Sequence, residues 1–326
     1  MADAGLARRL GFGDAVVIGL GAMLGAGVFA AFGPAAAAAG SGLLIALGVA
    51  AVVAYCNATA SARLAARYPE SGGTYVYGRR RLGPVWGFLA GWGFVVGKTA
   101  SCAAMALTFG AYAWPQNPVP PAVGAVVVMT AVNYLGVAKT AGLTRVLVVT
   151  TLLALAAVVA AGLGGGAADP ANLTGWTDGG PLGIGQAAAL LFFSFAGYAR
   201  IATLGEEVRD PERTIPRAVP TALGMVLVVY VLVGVTALLA VGPAGLATAA
   251  APLAAVAESG SLSWLAPAVQ VGGAVASAGV LLSLMAGIGR TTLAMARDRE
   301  LPGVLAAVHP RFRVPHRAEV LLGAVV

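Results

Sequence analysis

Of the 326 residues, 59% are apolar and only 10% are charged, too few polar side chains to clothe a water-soluble body of this size. The net charge of +7 suggests nucleic acid as a partner, but the basic residues stand in short loops between long apolar runs. That pattern orients membrane helices and makes no basic binding face, so the partner expected is a lipid bilayer and no nucleic acid. The two cysteines, Cys56 and Cys102, both fall inside apolar runs, which leaves neither a disulfide framework nor a metal-ligand spacing.

Taken in order, Met1 to Gly13 carries Arg8 and Arg9 with no small-residue cleavage site, so the first apolar run is expected to be retained and not removed as a signal peptide. Eight runs then reach bilayer-crossing length: about 15–39, 41–62, 85–112, 120–138, 143–165, 183–205, 216–241 and 264–289. Alanine is so abundant that helical periodicity is blurred, and these spans rest on length and flanks. A ninth run begins near residue 318 and stops at Val326, too short to cross. The expectation is therefore a single transmembrane domain over 1–326 that belongs to a longer protein.

Orientation follows from charge. With the N-terminus in the cytoplasm and the spans alternating, all of the 20 Lys and Arg residues except Lys98 and Arg200 fall on the inner side. The outer segments 115–121, 169–180 and 243–263 hold none. The positive-inside rule then predicts a multi-pass cell-membrane protein with a cytoplasmic N-terminus. The last outer segment is expected to contain a short surface helix around Gly245 to Glu258.

The most informative stretch is Gly19-Leu20-Gly21-Ala22-Met23-Leu24-Gly25-Ala26-Gly27-Val28-Phe29, inside the first span. Each of its four glycines weakens a helix by roughly 1 kcal/mol relative to alanine. Unwound backbone is tolerated in lipid only where protein buries it or it lines a cavity. Two readings compete: a helix broken near its middle, exposing backbone groups to a solute, or a close-packing face with the small-xxx-small spacing Gly21-x-x-x-Gly25.

Three inner-side segments add to it. Arg67-Tyr68-Pro69-Glu70-Ser71-Gly72-Gly73-Thr74-Tyr75-Val76-Tyr77 is a turn-rich loop ending in an aromatic anchor, followed by Gly87-Phe88-Leu89-Ala90-Gly91-Trp92. Glu206-Glu207-Val208-Arg209-Asp210-Pro211-Glu212-Arg213-Thr214-Ile215-Pro216-Arg217-Ala218 is a helix end, an alternating-charge loop and a proline-led helix start. Ala294-Met295-Ala296-Arg297-Asp298-Arg299-Glu300-Leu301-Pro302 closes the set.

Together these resemble the amino acid–polyamine–organocation superfamily of permeases, in order and spacing, from about Gly11 to the end. Gly25-Ala26-Gly27-Val28-Phe29 is similar to that family's glycine signature, and the Glu206 to Ala218 segment is more distinctive still. The resemblance implies an all-α fold with a five-plus-five inverted repeat and discontinuous first and sixth helices, here with an incomplete second repeat. It also implies a substrate site at the two breaks. Backbone N–H groups of Gly25, Ala26 and Gly27 would bind an amino acid carboxylate, helped by the half-helix dipole. Carbonyls around Ala22 and Met23, with those near Phe193 and Ala196 in Phe193-Ser194-Phe195-Ala196-Gly197-Tyr198, would share its ammonium. Gly197 and Tyr198 belong to the same stretch, whose rings would form the side-chain pocket and a gate; packing in the core or against lipid is the competing account of Phe192, Phe193 and Phe195.

Two charges stand inside spans. Lys98 is deep enough that it should face a partner or a cavity. Arg200 can snorkel to the inner surface, reach Glu206 or Glu207, or point to the pocket. Thr151 stands near the position where some sodium-independent members of the family carry a lysine, so Lys98 is a candidate coupling charge. His309 and His316 are expected to be solvated loop residues. No Ser-His-Asp set, phosphate loop or metal cluster is present in the sequence, so an enzyme is not expected and no cofactor is implied.

The reading is a secondary active permease of amino acids, working by alternating access with proton coupling or exchange. A membrane sensor or interaction protein on the same scaffold is the alternative. Cationic carriers of the family share the Ile-Ala-Thr-x-Gly-Glu-Glu run but place an acid after the aromatic of helix six. Here Ala199 and Arg200 follow Tyr198, which favours neutral substrates, leaves anionic ones open and disfavours lysine and arginine.

Overall fold

The computed structural model describes residues 10–68, 72–136, 141–202, 208–312 and 314–326. Among them the secondary structure is helical, with one isolated bridge between Leu10 and Val208. The first span is built from α1 (Phe12–Met23), α2 (Ala26–Ala30) and α3 (Phe32–Ala39), and α4 (Leu43–Arg67) returns beside it. After a short loop helix, α5 (Thr74–Leu82), come α6 (Pro84–Ala113), α7 (Val119–Tyr134) and α8 (Ala141–Gly164). The second half holds α9 (Gly180–Phe195), α10 (Ala199–Ala202), α11 (Pro211–Thr248), α12 (Pro252–Glu258), α13 (Ala266–Arg297) and α14 (His316–Val325). Seven helical stretches among the described residues are long and apolar enough to cross a bilayer, and α7 is a shorter apolar helix.

In α4, size separates inside from outside, since both faces of the helix are apolar. On α4 the alanines at 46, 50, 54, 58 and 62 recur every four residues and are all buried, while Val52 and Val53 on the other face are exposed. A four-residue repeat lies along one helix face. Small side chains on that face let backbones approach closely, as helix contacts in lipid require, and leave the large apolar groups to the hydrocarbon. The alanine stripe of α4 meets α9 and α11. On α11 the division by size is lost: Ala218, Ala222 and Ala237 are buried, but so are Ile215, Leu223, Tyr230 and Leu238.

Prolines start and bend the long helices. Pro84 and Pro211 occupy first turns, where the missing N–H removes no helical bond. Pro243, deep in α11, frees the Leu239 carbonyl four residues earlier, and Gly242 absorbs the kink with φ 68°. The orphaned carbonyl is satisfied from outside the helix: the Asp169 backbone N–H and the Asn172 side-chain amide both donate to it, at 2.9 and 3.1 Å. Ser41 donates in turn to the Asn172 carbonyl at 2.7 Å. A proline in one span thus ties down the loop between two others. Beyond the kink α11 continues to Thr248 and α12 starts only at Pro252, so the single surface helix expected from Gly245 to Glu258 is divided in two.

The opposite end gathers the arginine-bearing loops. Arg145 of α8 pairs with Asp14 of α1 at 2.5 Å, and the Arg209 N–H donates to the Leu10 carbonyl at 2.9 Å. His309 and His316 are half-buried and in contact with each other. The rings stand 5.3 Å apart and each lies against Tyr134, and His309 Nδ1 accepts from the N–H groups of Arg311 and Phe312. Against the expectation of two solvated histidines, both rings keep part of their surface exposed and rest the remainder on Tyr134.

Candidate functional site

The first span is interrupted at Leu24 and Gly25. Met23 ends α1, and the Leu24 N–H still reaches back to Leu20 at 2.7 Å, but the Gly25 N–H turns onto the Met23 carbonyl at 2.9 Å. From Ala26 the helix resumes. Ala31 keeps helical torsions and bonds back to Gly27, so α2 and α3 form one nearly continuous helix beyond the break. In its first turn the Val28 N–H bonds the Gly25 carbonyl at 3.2 Å, which leaves the N–H groups of Ala26 and Gly27 with no backbone partner among the described residues. Both competing readings of the glycines therefore have a physical basis. A Cβ on Gly27 would stand 2.6 Å from the Ser194 Cα of α9, and one on Gly25 would stand 2.0 Å from a Val280 methyl of α13.

A second interruption faces the first. After Phe195 the chain takes a 3-10 turn over Ala196–Tyr198 before α10. Gly197 lies against the Ala22 carbonyl, where a Cβ would come within 2.3 Å of the oxygen. Between the breaks stands Tyr230 of α11, wholly buried, its hydroxyl 2.5 Å from the Met23 carbonyl and 3.0 Å from that of Ser194. One phenolic proton serves two frayed helix ends. With the Gly25 N–H, Tyr230 also occupies both lone pairs of the Met23 carbonyl, which leaves Ala22 as the more available acceptor of the pair.

Two adjoining cavities open beside this junction. The deeper, about 310 Å³ including space open to solvent, is lined by Ala22, Met23, Gly25, Gly27, Phe193, Ser194 and Gly197, with Lys98 and Met105 from α6 and Val280 and Leu284 from α13. The other, about 420 Å³ including space open to solvent, shares Ala22, Lys98, Gly197, Val280 and Leu284. It adds Phe94, Ala196, Ala199, Arg200, Ser283 and Gly287. Nine of the eleven residues singled out from the sequence thus line one cavity or both. Ala26 contributes backbone between Gly25 and Gly27. Tyr198 lines neither cavity; it is buried, with its hydroxyl bonded to the Ser61 side chain of α4. Phe195 is likewise core, its ring 5.0 Å from that of Tyr230. Thr151 is buried in α8 with its hydroxyl on the Leu147 carbonyl. Glu206 and Glu207 lie outside the described residues.

Sequence reasoning missed the walls contributed by α6 and α13. Met105, Val280, Ser283 and Leu284 carry no local signal, because each stands among similar residues in an apolar span. It also passed over Ser194, buried at 4% exposure, whose hydroxyl has no hydrogen-bond partner among the described residues although it borders the deeper cavity. A buried unsatisfied hydroxyl costs about 1–3 kcal/mol, so this one marks a position where a ligand group can restore a bond.

Beyond the cavities, buried tyrosines tie separate elements together. Towards α12, the Tyr112 hydroxyl donates to the Phe29 carbonyl at 2.8 Å and accepts from the Leu253 N–H at 3.2 Å. At the arginine-rich end, the Tyr75 hydroxyl of α5 donates to Asp298 at 2.5 Å, Arg79 pairs with Glu300, and Tyr77 donates to the Ala202 carbonyl at 3.2 Å. Two of the sequence segments, around Tyr75 and around Asp298, therefore meet in space. Burial, and then the neighbouring Asp298 and Glu300, raise the Tyr75 phenol above its usual range. Burial pushes the Tyr77 phenol up to about 12. Both remain proton donors at neutral pH.

The family model described as amino acid permease matches residues 10–326. The chain belongs to the amino acid permease family. An uncharacterized transporter of Mycobacterium tuberculosis is 66% identical to this permease over 321 residues, covering 98% of the chain and 73% of that relative. The branched-chain amino acid permease BcaP of Bacillus subtilis is 27% identical, covering 98% of the chain and 74% of that relative. The cationic amino acid transporter 7 of Arabidopsis thaliana, a chloroplastic protein, is 30% identical, covering 97% of the chain and 59% of that relative. Among solved structures, MhsT in complex with L-phenylalanine superposes with a TM-score of 0.71 at 17% identity, covering 99% of the permease and 79% of that chain. That likeness is one of fold.

Proposed function

We propose that this permease carries amino acids across the cell membrane by alternating access, with its N-terminus in the cytoplasm. The observation that carries the reading is the pair of facing helix interruptions with a cavity between them. The start of α2 presents backbone N–H groups to a carboxylate, and the unsatisfied Ser194 hydroxyl stands beside them. The Ala22 carbonyl, and those of the α9 break, offer acceptors to an ammonium. Energy would come from proton coupling or from exchange against a second solute, since the sequence holds no phosphate-binding loop.

Substrate charge follows from what lines the space. Lys98 lines both cavities, Arg200, which is engaged with a partner of its own, lines one, and no carboxylate lines either among the described residues. At an effective dielectric near 20, two like charges about 6 Å apart repel by roughly 3 kcal/mol, on the order of a hundredfold in affinity. Side chains that are neutral, as the sequence favoured, or anionic, which it left open, fit this lining; those of lysine and arginine do not, although one relative is named for cationic substrates. Uptake of labelled amino acids into proteoliposomes tests both statements. Transport should be inhibited by unlabelled neutral or acidic amino acids, and lysine and arginine should inhibit at least tenfold more weakly. Equal inhibition by lysine would overturn the charge argument, and no uptake or binding of any amino acid would overturn the transport reading.

A further inference from the structure

We propose, resting on that reading, that Lys98 is the counter-ion for a second negative group on the substrate, which makes dicarboxylic amino acids the preferred cargo. Lys98 is the fifteenth of the 30 residues of α6. At 1.5 Å per residue, roughly 20 Å of helix lies on either side of it, far more than a lysine stem can bridge to reach water at an interface. An ammonium at such a depth faces a partner or a water-filled cavity. Among the described residues Lys98 makes no ion pair, and the linings of the two cavities it borders contain no carboxylate.

Lys98 borders both cavities of the site, so a ligand held there can bring it a partner. An amino acid with a neutral side chain brings one carboxylate and one ammonium. Both are provided for at the helix interruptions, by the first turn of α2 with Ser194 and by the freed carbonyls. Lys98 borders the deeper cavity from the α6 side, alongside Val280 and Leu284 of α13, and also borders the wider cavity that Arg200 lines. A side-chain carboxylate extending from the junction towards α6 would meet the ammonium in a space that is otherwise apolar. There an ion pair is strengthened by the low dielectric, and the desolvation of Lys98 is offset only when the second carboxylate is present. The result is discrimination between an acid and its isosteric amide, which differ in charge and hardly in shape.

Equilibrium binding to the purified full chain, with labelled L-glutamate and labelled L-glutamine measured in parallel and L-aspartate, L-asparagine and L-leucine as competitors, tests this. We expect each acid to bind at least tenfold more tightly than its amide. Lys98→Met should remove that ratio by weakening the acids while leaving the amides within about threefold, and Lys98→Arg should retain it. Melting curves of each variant establish folding, and the acid-to-amide ratio of the unmodified protein stands as a test should Lys98→Met fail to fold. Equal binding of acid and amide, or a ratio unchanged by Lys98→Met, would overturn the assignment. So would equal weakening of acids and amides, which would place Lys98 on the carboxylate common to all amino acids. Binding of no amino acid at all would overturn the transport reading and this assignment with it.

Discussion

At the scale of single residues, Gly25 and Gly27 show how one residue type serves packing and binding together. A methyl group on Gly27 would press on the backbone of α9 at Ser194, which has no rotamer to yield. On Gly25 it would meet a Val280 methyl, a side chain that can shift at some expense. Forcing bulk into a packed contact destabilises by about 1–3 kcal/mol. Gly27→Ala should therefore lose substrate binding by more than tenfold and lower the melting temperature, and Gly25→Ala should do so less. Gly48 of α4 has open space where its Cβ would be, and Gly48→Ala should leave both quantities unchanged. Binding assays and melting curves on the three variants decide it; unimpaired binding by Gly27→Ala would remove the carboxylate seat from the start of α2.

Among elements, α5 is the piece that joins otherwise separate spans. Its two buried tyrosines and Arg79 reach the end of α13 at Asp298 and Glu300 and the end of α10 at Ala202, tying these elements together at the arginine-rich end. The Tyr77 phenol is held at about 12 by burial, above the value near 10 of an unfolded tyrosine. A folded value raised in this way leaves the contribution intact below pH 10. It fades as pH rises through 12, because the unfolded chain loses its proton first. The tie should thus be insensitive to pH from 6 to 9. In an ultraviolet titration, the tyrosinate signal missing in Tyr77→Phe should appear only near pH 12, and its appearance near pH 10 would show that Tyr77 is solvated. How much of these elements is legible in the sequence varies with the kind of signal. The first interruption announces itself through glycine, whereas α11 begins at Pro211, ahead of the position 216 expected, with Pro216 inside the helix. The meeting of Tyr75 with Asp298 could not be read, because the two stand more than 200 residues apart and neither segment names its partner.

For the molecule as a whole, the basic residues make a prediction about sidedness. In a background with Cys56→Ser, a cysteine placed as Asp178→Cys, in the loop held by Asn172, should react with a membrane-impermeant maleimide on intact cells. One placed as Arg80→Cys on α5 should react only after lysis. The reverse pattern would invert the protein and refute the cytoplasmic N-terminus.

Composition alone determined that this chain is a helical membrane protein, since a chain 59% apolar in uninterrupted runs can satisfy its backbone in lipid only as helices or a closed barrel, and run length selects helices. Four glycines marked where the first helix would part. Which apolar residues form the walls of the site was decided only by tertiary structure. In water, burial is written in polarity and the sequence displays it. In a bilayer both the buried and the lipid-facing sides are apolar, so Val280, Leu284 and Met105 look like any other residue of their spans until α6 and α13 are packed around the interruptions and Lys98 is found between them.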